Sequence, residues 1–131
     1  MNAKILRECE TLAFQNKLSF REAAKRLSQA HVERYCADLV RLEKFYYAAG
    51  SQTHTEKIPL TKAPRIGRLF LTDAVKAAVR DVQQGRLDYP EFLRAIMRAG
   101  VVYYDVFVRG RRVIYTGRDG DFHVENFPRG K

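Results

Sequence analysis

Two short runs place an imidazole and a carboxylate at the same spacing, His54-Thr55-Glu56 and His123-Val124-Glu125. On a β-strand, residues two apart share a face, so each histidine points with its glutamate. A carboxylate that orients an imidazole is a working pair for general acid–base chemistry. Two such pairs brought together would offer nitrogen and oxygen donors to a metal ion. His54, Glu56, His123 and Glu125 are therefore the candidate ligands of a metal-dependent enzyme. The competing reading puts both pairs on the wet face of an antiparallel sheet, where His and Glu need no purpose.

A second set is cationic. Arg109, Arg111, Arg112 and Arg118 are expected to form one cationic tip, near Arg129 and Lys131. Guanidinium groups on a β-ribbon can hold phosphates through paired hydrogen bonds, and neighbouring tyrosines can stack on bases. These four arginines are the candidate nucleic-acid contacts. Charges at hairpins also keep sheet edges from pairing with other chains. Tyr103, Tyr104 and Tyr115 lie in apolar runs and are expected in the core. The chain has 24 Lys+Arg against 15 Asp+Glu, a net charge of +9 over 131 residues. That balance suits contact with a polyanion through counterion release.

Other chemistry is thinly represented. Asp119-Gly120-Asp121 lacks the spaced oxygen ligands of a calcium loop and reads as a hairpin turn. There is no phosphate-binding glycine loop, no His-Glu-x-x-His and no Gly-x-Ser-x-Gly. The catalytic residues are undefined, and no cofactor is expected. Cys9 and Cys36 form no CxxC and sit in apolar-periodic segments, as buried reduced thiols do. Lys4, Arg7, Glu8, Glu10 and Lys17 leave no apolar core for a signal peptide, and the longest apolar stretch, Val101 to Tyr104, is too short for a bilayer. A soluble cytoplasmic protein without a membrane partner is expected.

The elements that position these residues occur twice. Residues 18–59 advanced by 69 fall on 87–128 without a gap, and nine positions are identical: Leu18/Leu87, Glu22/Glu91, Ala30/Ala99, Val32/Val101, Tyr35/Tyr104, Tyr46/Tyr115, His54/His123, Glu56/Glu125 and Pro59/Pro128. A first helix carries Ile5, Leu6, Cys9, Leu12 and Ala13 on one stripe, matched by Ala74, Val75, Ala78, Val79 and Val82. Thr72 or Asp73 is expected to cap the second of these helices, and Gly85 to end it. Ser19-x-x-Glu22 and Asp88-x-x-Glu91 read as capping boxes of a short second helix, with Pro90 in the first turn. Gly100 is expected to terminate that helix in the second copy.

Strands follow over 101–108, 112–116 and 121–127, and over 32–40, 43–49 and 52–58 in the first copy. The strand at 101–108 is apolar on both faces, as a central strand is. Arg109-Gly110 and Gly117 to Gly120 make the turns. In the last strand Phe122 and Val124 share one face, while Asp121, His123 and Glu125 share the other. Each unit reads α-α-β-β-β.

Gln84-Gly-Arg-Leu-Asp-Tyr-Pro-Glu-Phe92, then Ala99-Gly-Val101, Tyr104, Asp105, Arg112, Tyr115 and Gly120, resemble the bacterial family catalogued as domain of unknown function 1398, some of whose members carry the label phage envelope protein. The resemblance covers nearly the whole chain and is strongest in residues 73–128. It implies a single α+β domain of this size and supplies no activity and no catalytic residues.

The expected fold is thus α+β: a tandem duplication of an α-α-β-β-β unit, with antiparallel sheets packed about a pseudo-twofold axis. Repeats 1–59 and 70–128, joined by a connector at 60–69, form one domain spanning 1–131. The expected function is a non-enzymatic binding or interaction module that holds a small-molecule or protein ligand in the cleft between the repeats. Nucleic-acid binding through the arginines and a metal-dependent enzyme using the paired His-x-Glu are the alternatives.

Overall fold

The computed structural model of the chain describes residues 1–128. Arg129 and Lys131 lie outside the described residues. Helix α1 (Ala3–Phe14) starts at Asn2, whose side chain accepts the Lys4 N–H at 3.0 Å. In α2 (Phe20–Gln29), Ser19 accepts the Glu22 N–H at 3.1 Å. The Glu22 carboxylate returns to the Ser19 hydroxyl, so only half of the expected capping box forms. Asp88 and Glu91 complete theirs, with both bonds at 2.9 Å, at the start of α4 (Tyr89–Arg98). Helix α3 (Thr72–Gln83) departs from expectation. Leu71 stands at its N-cap, and neither Thr72 nor Asp73 caps it. The Leu71 N–H instead donates to the Ala99 carbonyl at 2.8 Å, tying the helix entry to the end of α4.

The strands are β1 (Val32–Asp38), β2 (Glu43–Ala48), β3 (Thr53–Lys57), β4 (Val101–Phe107), β5 (Arg112–Gly117) and β6 (Phe122–Asn126). They form one antiparallel sheet in the order β3-β2-β1-β4-β5-β6. The expectation of separate sheets is corrected here. Each three-stranded set would leave an open edge at β1 or β4, and the two edges satisfy one another's backbone groups. Between β4 and β5 it is Arg111, at φ 57°, that takes the left-handed conformation, not Gly110.

Gly100 ends α4 at φ +96°, and a Cβ there would lie 2.1 Å from the Leu69 carbonyl oxygen. That position requires glycine both for its backbone angle and for the close passage of the connector.

The helices cover one face of the sheet. Leu6, Leu27, Val75, Val79, Phe92, Leu93, Ile96 and Met97 pack on Ala37, Val106 and Val113 in one core that serves both halves. Burying each large side chain contributes about 1.5–3 kcal/mol. Four tyrosines cross the middle of this face as a ladder. Tyr46, Tyr35, Tyr104 and Tyr115 come from β2, β1, β4 and β5, with successive ring centroids 5.3, 6.4 and 5.5 Å apart. The other face of the sheet keeps Arg34, Cys36, Phe45, Tyr47, Asp105, Phe107 and Ile114 half-buried. Tyr103 belongs to this open face at 37% exposure, which corrects its expected place in the core. Among the described residues no helix is long and apolar enough to cross a membrane.

Candidate functional site

The structure separates the two His-x-Glu pairs. His54 and Glu56 are on β3, His123 and Glu125 on β6, and these are the opposite edges of the sheet. Five inter-strand steps put them roughly 24 Å apart. Each pair is closed locally: His54 Nε2 bonds Glu56 Oε2, and His123 Nε2 lies 2.7 Å from Glu125 Oε2. Among the described residues no three His, Cys, Asp or Glu side chains gather as a metal site would require.

Nor do the pairs face open water. They sit half-buried on the helix-covered face, where Tyr46 pairs with His54 and Tyr115 with His123. Phe122, on the other face of β6, is 65% exposed. The edge strands alternate two kinds of half-polar side chain, so register with β2 and β5, not hydrophobicity, decides which set turns inward.

The arginines also divide. Arg109, Arg111 and Arg112 belong to the β4–β5 hairpin, while Arg118 follows the far end of β5. Arg118 donates to the Ile66 and Gly67 carbonyls at 3.0 and 3.3 Å and so anchors the connector. The Arg111 guanidinium lies 5.3 Å from the Phe127 ring. Arg109 and Arg112 are exposed and line an open groove of 670 Å³ with Arg34, Tyr47, Phe107 and Ile114. This groove crosses the β1–β4 seam on the open face. On the helix side the same seam is filled by Tyr35, Ala37, Tyr104 and Val106. No cleft opens between the halves on the helix side.

Around the groove the polar groups are partly engaged. Arg34 lies 3.5 Å from Asp105 and stacks over Tyr47, 4.1 Å from its ring centre. Burial raises the Asp105 pKa and the Arg34 charge opposes the shift. Cys36, directly opposite Asp105, is pushed up to about 12 by burial and by that carboxylate. It is a free, half-buried thiol, and Cys9 is a free buried one. Neither has the lowered pKa of a nucleophilic cysteine.

A further pair of charges was not singled out in the sequence. Glu10 on α1 and Lys44 on β2 are joined by a short hydrogen bond, and each side chain is only 5% exposed. Among the described residues the second, buried carboxylate oxygen of Glu10 has no hydrogen-bond partner. Lys44 Nζ lies 5.1 Å from the Tyr35 ring centre and 4.7 Å from that of Tyr89, whose hydroxyl is 2.9 Å from the Tyr104 hydroxyl. Burial would lower the Lys44 pKa, but the Glu10 carboxylate, supported by tyrosine oxygens, holds it well above the ordinary lysine range. Glu10 adjoins the apolar stripe of α1 (Leu6, Cys9, Ala13), and Lys44 alternates with Tyr46 on the inward face of β2. Those positions are the signal that both side chains are buried.

No family model matches the chain, and no curated protein has a sequence that matches it.

Proposed function

We propose that this chain is a binding module for single-stranded nucleic acid, held on the open face of the sheet across the β1–β4 seam. The observation that carries the reading is the groove in which Arg34, Arg109 and Arg112 stand beside Tyr47 and Phe107. A single strand offers what this lining can take: phosphates for guanidinium forks, and unstacked bases for aromatic faces. Tyr103 and Phe122 extend the apolar character of the same face beyond the groove. Glu33 is the one carboxylate in the lining, and the chain's charge of +9 favours approach of a polyanion. A second copy of the chain fits less well, because a two-fold contact at the groove would set Arg34, Arg109 and Arg112 near their own copies. A metal-dependent enzyme loses the convergence of His54 and His123 on which it depended.

Nitrogen-15 chemical-shift mapping with a short oligothymidine tests this directly. Shifts confined to β1, β2 at Tyr47, β4, β5 and the 109–112 hairpin are expected. Shifts spread over the helices would contradict the proposed face.

We also infer that the fold is a tandem duplication packed about a pseudo-twofold axis. An offset of 69 carries Ala3–Phe14 onto Thr72–Gln83, Val32–Asp38 onto Val101–Phe107, and Thr53–Lys57 onto Phe122–Asn126. The β1–β4 ladder supports an axis between Cys36 and Asp105, which pair and are themselves 69 apart. The neighbouring pairs Tyr35–Val106 and Ala37–Tyr104 exchange under the same shift. Membership of the family catalogued as domain of unknown function 1398 remains part of this proposal, supported by the residues quoted from 84 to 120.

A further inference from the structure

We propose that a second groove, between α3 and β6, binds a small molecule through a phosphate monoester. This site lies on the helix side of the sheet, away from the seam groove, and does not depend on the nucleic-acid reading. It has a volume of 500 Å³ and is lined by Lys76, Arg80 and Gln83 from the helix and by His123, Glu125 and Asn126 from the strand. Pockets of this size hold small ligands.

The charges suit a dianion. Lys76 and Arg80 are four residues apart and share one helix face. Among the described residues neither lies within ion-pair distance of a carboxylate, although Glu125 lines the same groove. Glu125 is engaged by His123 at 2.7 Å, which holds the carboxylate on the strand side. Terminal phosphate oxygens can accept from the Arg80 fork, the Lys76 ammonium and the side-chain amide of Gln83.

The N-terminal half shows the same framework put to another use. At the positions 69 residues earlier, Arg7 replaces Lys76 and lies 3.7 Å from Glu56. Thr11 replaces Arg80, and Phe14 replaces Gln83 and packs edge-on against Tyr89 at 5.2 Å. The His-x-Glu pair is common to both edges, but the second cation and the amide belong to the C-terminal edge alone.

The test is titration of the isotope-labelled full chain with methyl phosphate at constant ionic strength, read at the His123 imidazole and at the amides of Lys76 to Gln83 and Asn126. Saturable shifts are expected at these positions. Lys76→Ala with Arg80→Ala should weaken binding at least tenfold, and Lys17→Ala, exposed and outside both grooves, should leave it unchanged. Both substituted residues are exposed on a helix, where alanine preserves the fold. Shifts reproduced by chloride, equal affinity for methyl sulfate, or unaltered binding by the double variant would overturn the site. Retention on phosphatidic acid vesicles without any response to methyl phosphate would overturn it as well, since the source would then be a membrane.

Discussion

Lys44, on the inward face of β2, donates a hydrogen bond from its ammonium to Glu10 on α1, whereas the residues 69 positions later, Val113 and Val79, are both buried and apolar. The core thus holds an ion pair between α1 and β2 and two valines on α3 and β5. Removing one partner leaves the other buried and uncompensated, which typically costs about 3–5 kcal/mol, whereas an apolar replacement of the whole pair is often neutral or stabilising by about 1–4 kcal/mol.

Glu10→Val or Lys44→Val alone should therefore destabilise by several kcal/mol, while the double substitution should restore or exceed the original stability. Urea denaturation of the four proteins measures the coupling. Additive losses would mean that the two charges are solvated and independent.

The tyrosine ladder makes the fold sensitive to alkali. Burial raises the pKa values of Tyr35, Tyr46, Tyr89, Tyr104 and Tyr115, and Lys44 is raised through Glu10. A raised folded-state pKa means that the folded chain keeps protons which the unfolded chain has begun to lose. These contributions are complete below about pH 10, the unfolded value, and disappear as pH climbs from there towards the folded values. Tyrosinate absorbance from these five rings should rise together with the loss of circular dichroism. Five rings titrating near pH 10 in the intact fold would show that they are accessible to water.

Tyr104 combines ring packing with one hydroxyl partner, Tyr89. Tyr104→Ala should cost roughly 3–5 kcal/mol. Tyr104→Phe should cost about 1–3 kcal/mol, because it leaves the Tyr89 hydroxyl without its partner. A loss below about 1 kcal/mol for the alanine variant, from the denaturant midpoint, would mean that this residue faces the open side of the sheet.

Local patterns made much of this architecture legible. The Asp88–Glu91 box, the stripe through Val75 and Val79 and the apolar run 101–108 each announce their element within a few residues. What stayed hidden depends on pairing between distant segments. Glu10 and Lys44 are 34 residues apart, and either alone resembles a surface charge. Nothing local in β6 tells whether Phe122 or His123 turns inward, since that is settled by the partner Tyr115 and by α3 overhead. Arg118 lies six residues from Arg112, close in sequence, but the intervening strand carries it to the other end of the sheet.

The seam groove is the central claim, and the salt dependence of binding tests it most directly. Fluorescence anisotropy with a labelled single-stranded oligonucleotide should show binding whose log–log slope against salt is about −2, from three phosphate contacts at about −0.7 each. Arg109→Ala with Arg112→Ala should flatten the slope by about 1.4, and Lys4→Ala with Arg7→Ala on α1 should leave it unchanged. No binding at low salt, or equal loss with either pair of substitutions, would contradict the claim.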